Sequence, residues 1–156
     1  MTNKRLRFIK DIPAPVATVW STMLAPDSYE HWTAAFCEGS HYDGAWEEGE
    51  RIRFLAPNGD GMVAEIAELR PREFVSIRHL GFIHGGVEDT ESDAIRAWAP
   101  AYENYSFEAT LGGTRLVIDQ DVTEDFEAMM KDAWPKALNR LESLCVLVSD
   151  GDSTEA

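Results

Sequence analysis

The chain has 156 residues, 44% of them hydrophobic and 27% charged, and its 28 acidic and 14 basic side chains give a formal net charge of -14. This composition is typical of one globular domain. The charge argues against nucleic acid and anionic membranes as partners, because both are bound through clustered Lys and Arg.

The N-terminal residues and the cysteines favour a cytoplasmic protein. Residues 1–10 carry four basic side chains with no apolar segment after them, so they do not form a secretory signal. No apolar run approaches the roughly 20 residues that span a bilayer. The two cysteines are Cys37 and Cys145. A chain of this length needs no disulfide scaffold, and we expect reduced thiols in the cytoplasm.

A strand and two short helices are predicted at the N-terminal end. Residues 5–12 are compatible with a half-buried strand. A proline, tolerated in the first helical turn, opens a predicted helix over 15–24, whose apolar residues recur at offsets of three and four. Pro26 ends that helix. Asp27 is expected to cap a second short helix over 27–32, because its carboxylate can accept the free N–H groups of the first turn.

The middle of the chain predicts mainly antiparallel strands. They are expected at 35–42, 50–56, 61–69, 73–82, 101–110 and 114–122. Asn58-Gly59-Asp60-Gly61 and Gly112-Gly113 are hairpin signals, because Asn and Gly accept positive φ. Residues 83–100 do not continue this strand pattern. A connection of that length is typical of a functional loop or of one with its own structure, and a short helical turn ending near Trp98 is expected.

The last element is a long amphipathic helix that Thr123 can cap. Its apolar stripe extends over roughly 25 residues and predicts that the helix lies on the sheet. Pro135 falls inside the stripe and predicts a kink, because it removes a backbone donor and crowds a preceding carbonyl. Residues 1–148 are therefore expected to form a single α+β domain, with 149–156 as an acidic, frayed tail.

This order of elements resembles the START-like or SRPBCC superfamily, the helix-grip fold, in the branch of the homologues of the heat-shock-protein ATPase activator. The matching segments cover residues from about 5 to 147. They are Ile12-Pro13-Ala14-Pro15, Val19-Trp20, Pro26 to Trp32, Tyr105, Gly112-Gly113-Thr114-Arg115-Leu116, Met130 and Trp134-Pro135-Lys136-Ala137-Leu138. The resemblance implies a curved antiparallel sheet of six to seven strands around the long C-terminal helix. It also implies a cavity between them that binds apolar molecules, or in a minority of members catalyses cyclisation or hydrolysis.

The predicted cavity lining combines large aromatic, soft apolar and a few polar side chains. It consists of Trp32, Phe54, Met62, Ile66, Ile77, His79, Trp98, Tyr105, Phe107, Met130 and Trp134. Each of these residues is also compatible with ordinary core packing. His79 is the best candidate for a catalytic base, since it shares the strand phase of Val75 and Ile77. The sequence contains no catalytic motif, no metal-ligand spacing and no cofactor fingerprint.

The leading hypothesis is binding of a small apolar or amphipathic molecule between the sheet and the C-terminal helix. A cyclase or hydrolase that uses His79 is the alternative, and a chaperone-associated interaction domain is a further one. Chaperone activation is not expected, because the eukaryotic activators carry an additional N-terminal domain that grips the chaperone. The ligand, the pathway and the oligomeric state stay open, and a homodimer is compatible with the sequence.

Overall fold

The computed structural model describes residues 4–155, and the side chains of residues 4–147. The strands are β1 (Lys4–Ile12), β2 (His41–Gly44), β3 (Arg51–Leu55), β4 (Gly61–Arg70), β5 (Phe74–His84), β6 (Val87–Asp89), β7 (Ala101–Thr110) and β8 (Gly113–Val122). The helices are α1 (Val16–Leu24), α2 (Pro26–Thr33), α3 (Asp93–Arg96) and α4 (Glu124–Glu155).

The strands form an open antiparallel sheet in the order β1-β8-β7-β5-β4-β3-β2, with the short β6 paired to β5. Strands β1 and β2 are therefore the two edges. Tight hairpins join β3 to β4 and β7 to β8, because Gly59 and Gly113 supply the positive φ that these turns require. The predicted helix-grip fold is confirmed, with seven strands along the main path and one short addition.

Helix α4 lies on the concave face of the sheet and buries its apolar stripe there. The stripe includes Trp134, Leu138, Leu141 and Cys145, all of which are buried. Pro135 falls within the helix, on its exposed side. The helix continues to Glu155, beyond the point where the acidic tail is predicted to begin. Among the described residues, no helix is long and apolar enough to cross a membrane.

Strand β1 uses its two faces differently. On the inner face Phe8 stacks on Trp134 at 6.0 Å between ring centroids, and Lys10 Nζ reaches Glu142 of α4 at 3.4 Å. On the outer face, arginines pair with carboxylates directly across from them on β8. These pairs are Arg5–Asp121, Arg7–Asp119 and, with the charges reversed, Asp11–Arg115. The alternation of the strand therefore separates core contacts from an exposed row of ion pairs.

Two local predictions are wrong. Helix α2 begins at Pro26, its N-cap is Ala25, and no side chain caps it, so Asp27 lies in the first turn and is not the cap. The predicted strand 35–42 is mostly turn, and only His41–Gly44 pairs as β2. Both errors arise where Pro26 and Gly39 set the backbone more strongly than the neighbouring side chains do.

The connection after β5 carries its own structure, as its length predicts. Ser92 caps the short helix α3, because its side chain accepts a hydrogen bond from the backbone N–H of Ile95. Trp98 follows that helix and is buried against the sheet, where it stacks on Phe82 at 4.7 Å between ring centroids. The loop is therefore anchored to β5 by an aromatic pair.

Candidate functional site

A cavity of about 340 Å³ lies between the inner face of the sheet and the N-terminal part of α4. Its wall combines α2 and the segment after it, the β3–β4 hairpin, strands β7 and β8, and α4. Cys37 and Met129 are its exposed members and mark the mouth. The buried members, which include Trp32, Tyr105 and Gln120, mark the inner end.

Aromatic rings form most of the apolar wall. They are Tyr29, Trp32, Phe36, Phe54, Tyr105 and Trp134. The rings contact one another edge to face or tilted: Tyr29–Trp32 at 5.4 Å, Trp32–Trp134 at 5.9 Å and Phe36–Trp134 at 5.0 Å between centroids. Such contacts fix the rings in place, so the wall is formed before any ligand arrives.

One carboxylate, that of Glu103, lies at the inner end among these rings. Its Oε2 accepts a hydrogen bond from the Tyr105 hydroxyl. Its Oε1 lies 3.0 Å from His79 Nε2 and 3.4 Å from the side-chain nitrogen of Gln120, which donates to it. Trp134 Nε1 donates a hydrogen bond to the side-chain oxygen of Gln120. The carboxylate is therefore held by a network drawn from three strands and tied to α4.

Strand register explains why these groups meet. Glu103, Tyr105 and Phe107 alternate along β7, so all three side chains point to the inner face. Glu103 pairs directly with Gln120 on β8 and with Ile77 on β5. His79 is one inward position further along β5 from Ile77, which brings its ring beside the Glu103 carboxylate.

The two tyrosines at the inner end stay protonated at neutral pH. Burial raises the pKa of Tyr29 and of Tyr105 well above the usual range, and the charge of Glu103 raises both further. Both hydroxyls therefore remain neutral hydrogen-bond donors. The inner end thus presents one acidic side chain beside two neutral phenols.

Six of the predicted ligand-binding residues line this cavity. They are Trp32, Phe54, Met62, Tyr105, Met130 and Trp134. The other five lie outside its wall. Ile66 and Ile77 are fully buried in the core. Phe107 packs against Trp20 at 5.2 Å between ring centroids, near the opposite end of α4. Trp98 belongs to the connection that follows β5 and stacks on Phe82.

His79, the fifth, does not reach the cavity. It is 2% exposed and lies behind Glu103, with Phe54 and Trp98 beside its ring at 5.8 Å. Its Nδ1 has no hydrogen-bond partner among the described residues. A proton carried by a bound molecule would therefore meet the Glu103 carboxylate before it met this imidazole.

The sequence interpretation missed Glu103 and Gln120, although a signal for each exists. Glu103 shares the phase of Tyr105 and Phe107, and Gln120 shares the phase of apolar residues on β8 that are buried. A polar residue in phase with an apolar inner face indicates either a cavity or a buried network. Cys37 and its neighbours after α2 give no such signal, because that segment is irregular.

The described side chains contain no cluster of candidate metal ligands. Among residues 4–147, no three His, Cys, Asp or Glu side chains lie close enough together to hold a metal ion. The cavity wall itself offers apolar contact, hydrogen bonding and two carboxylates, Glu103 at the inner end and Asp60 in the β3–β4 hairpin.

Solved structures with the same architecture come from several bacteria. Protein MLL2253 from Mesorhizobium loti matches with a TM-score of 0.69 at 19% identity, over 90% of this chain and 96% of that one. Protein NE0264 from Nitrosomonas europaea matches with a TM-score of 0.69 at 13% identity, over 94% and 96%. An AHSA1-like protein from Aeromonas hydrophila gives 0.63 at 14% identity, over 94% of each chain.

At these identities the structural matches show a shared fold and nothing finer. No curated protein matches the sequence at a significant level. The family model described as "Activator of Hsp90 ATPase homolog 1-like protein" matches residues 13–145, which is most of the chain and agrees with the resemblance found in the sequence. The chain therefore belongs to the family of Activator of Hsp90 ATPase homolog 1-like proteins.

Proposed function

We propose that this chain binds one small apolar or amphipathic molecule in the cavity between the sheet and α4. The observation that carries the proposal is the cavity itself, of about 340 Å³ and lined mainly by aromatic and apolar side chains. Small-molecule sites are typically concave, largely apolar and a few hundred Å³ in size, with a small number of polar groups that fix orientation. The fold of this family often binds ligands in a cavity, which supports the proposal.

Burial of apolar surface would supply the affinity. Each buried CH₂ group contributes about 0.8 kcal/mol, so a ligand with a modest apolar body is enough for useful binding. Because Trp32 and Trp134 already contact each other at 5.9 Å, little side-chain ordering is required when the ligand enters. Glu103 and Tyr105 at the inner end would set its direction.

The first experiment is native mass spectrometry of the purified protein, followed by organic extraction of any molecule that co-purifies. Met62→Trp is the test variant, because Met62 lines the cavity and a larger indole would occupy the ligand's space. Leu111→Trp is the matched control, since Leu111 is fully exposed in the turn between β7 and β8.

The expected result is a bound species of defined mass in the wild type and in Leu111→Trp that is lost in Met62→Trp. An equal amount of the species in all three proteins would place it outside the cavity and contradict the proposal. Circular dichroism of each variant shows whether the fold is retained, so loss of binding is not confused with unfolding.

A reaction inside the cavity is the second candidate, and one contact favours it. His79 lies 3.0 Å from Glu103, and a histidine beside a carboxylate is a common arrangement for handling protons. A cyclase or hydrolase would then use Glu103 as the base, with His79 as a positioning residue. Conversion of the extracted molecule that continues at the wild-type rate in Glu103→Gln would exclude this candidate.

A further inference from the structure

The described residues of the cavity wall include two carboxylates and neither lysine nor arginine. The carboxylates are those of Glu103 and Asp60. Among the described residues of the wall, the one imidazole belongs to His41, the first residue of β2. Its Nδ1 lies 3.0 Å from the carbonyl oxygen of Gly39. The whole chain has a formal net charge of -14, which adds to this potential.

The Glu103 carboxylate still has capacity to accept a hydrogen bond. Its two oxygens offer about four acceptor positions. The contacts with His79, Gln120 and Tyr105 account for three of them, two on Oε1 and one on Oε2. A donor that enters the cavity could therefore complete the set at Oε2 without displacing a neighbour.

The aromatic wall favours a positive charge at the same place. Tyr105 and Trp134 lie 6.2 Å apart between ring centroids, and Trp134 lies 5.9 Å from Trp32. The faces of such rings attract ammonium groups, most strongly where water is excluded. Each of these rings belongs to a buried residue of the cavity wall.

We propose, building on the binding function above, that the ligand is an amphipathic amine whose protonated nitrogen binds Glu103 at the inner end of the cavity. Its apolar body lies against the aromatic wall and points to the mouth beside Met129. The N–H⁺ group donates to Glu103 Oε2, and the surrounding rings shield this ion pair from water. A ligand carboxylate would instead be buried beside Glu103 without a countercharge, which is strongly unfavourable.

The test compares three probes with one shared apolar body: naphthylethylamine, naphthylethanol and naphthylacetate. Isothermal titration calorimetry at neutral pH measures the affinity of each for the wild-type protein. The alcohol can also donate a hydrogen bond to the carboxylate, but only the ammonium adds Coulombic attraction, so the amine should bind about tenfold or more tightly than the alcohol. The acetate should bind more weakly than the alcohol.

Glu103→Gln removes the charge and keeps the shape of the side chain. It should lower the affinity for the amine to about that for the alcohol, because the Coulombic attraction is lost. Glu108→Gln is the matched control, because Glu108 is exposed on the same strand and its loss changes the net charge equally. This control should keep the tenfold preference, which separates local contact from the long-range field of the chain.

The outcomes distinguish this inference from the proposed function. Binding of the alcohol that Met62→Trp abolishes, together with an amine no tighter than the alcohol, would overturn the amine assignment and leave the binding function in place. An amine preference that Glu108→Gln weakens as much as Glu103→Gln would also overturn it. If no probe binds the wild type and nothing co-purifies with it, the binding function itself fails.

Discussion

The space beneath α4 has two ends that are built from the same strands and packed in opposite ways. At the filled end, Phe107 of β7 and its partner Leu116 of β8 are buried, and Trp20 of α1 closes over Phe107 at 5.2 Å. At the cavity end, Glu103 and its partner Gln120 on the same strands line open space. One strand pair therefore supplies both a solid core and a cavity wall.

The difference teaches that the short helices decide where the cavity lies. Helix α1 packs against α4, β7 and β8 and supplies Val19 and Met23, which are completely buried. Helix α2 packs against α4 and β2, and its residues Tyr29 and Trp32 line the cavity without filling it. The solid core and the proposed binding cavity thus lie at different ends of α4, and variants at each end should separate stability from binding.

The largest expected effect is a loss of stability when a side chain at the filled end is shortened. Leu141 on α4 is 0% exposed, and Leu141→Ala should lower the free energy of unfolding by about 3 kcal/mol, because it leaves a void in close-packed surroundings. Met130, on the same helix, already borders the cavity. Met130→Ala should therefore lower the free energy of unfolding by only about 1 kcal/mol. Urea denaturation measures both. Equal losses would show that the two ends are packed alike.

The next effect depends on pH and also belongs to the filled end. Burial raises the pKa of the Cys145 thiol from its ordinary 9.0 to about 11. Between these two pH values the folded protein keeps a proton that the unfolded chain loses. The contribution of the buried thiol to the free energy of unfolding is therefore fully present below pH 9.0 and is lost as the pH rises to about 11. The expected loss is about 2 to 3 kcal/mol.

Denaturation at a series of alkaline pH values checks this prediction, with Cys145→Ala as the variant. The variant should be less stable at neutral pH, because a buried side chain is shortened, but its stability should fall less steeply between pH 9.0 and about 11. A slope identical to that of the wild type would contradict the assignment to Cys145.

A smaller effect is expected at the cavity end from Tyr105→Phe. The substitution removes the hydroxyl that donates to Glu103 Oε2, and a hydrogen bond to a charged group is worth about 1.5 to 3 kcal/mol. Because the carboxylate borders open space, solvent can replace part of this contact, and we expect a loss of about 1 kcal/mol. Tyr102→Phe, on the same strand, is the control, and an equal loss in both variants would exclude a specific role for Tyr105.

The smallest effect is local opening of α4 where it covers the cavity. Pro135 removes one backbone donor and crowds the carbonyl of Lys131. Amides of residues 131–138 should therefore exchange with solvent faster than those of 139–145, which lie toward the filled end. Hydrogen exchange measured by mass spectrometry tests this, and Pro135→Ala should slow the exchange. Uniform protection along the helix would rule out opening at Pro135.

The fold could be predicted because its signals are periodic. The apolar stripe of α4 and the alternation in β7 and β8 each require one buried face, and together they leave few arrangements. The strand predicted over 35–42 failed because that segment has no period, and its course depends on turns around Gly39. Periodicity therefore identified the regular elements and not the irregular wall of the cavity.

The candidate site was predictable only in part, for a different physical reason. Alternation shows which face of a strand a residue occupies, and it placed both Tyr105 and Phe107 inward. It does not show how far along the strand the neighbouring helix reaches, and α1 fills the space beside Phe107 but not beside Tyr105. Glu103 was missed because its charge suggested an outward position, whereas its phase indicated the inner face.

The row of ion pairs on β1 has a consequence for how copies of this protein meet. An open sheet exposes unpaired backbone groups at its edges, and a flat apolar edge invites a second strand and then aggregation. Here β1 carries Arg5 and Arg7 on its outer face, and β2, at the other edge, is only 4 residues long and ends at Gly44. Neither edge is a good template for strand addition. Two copies that associate are therefore expected to do so without extending the sheet.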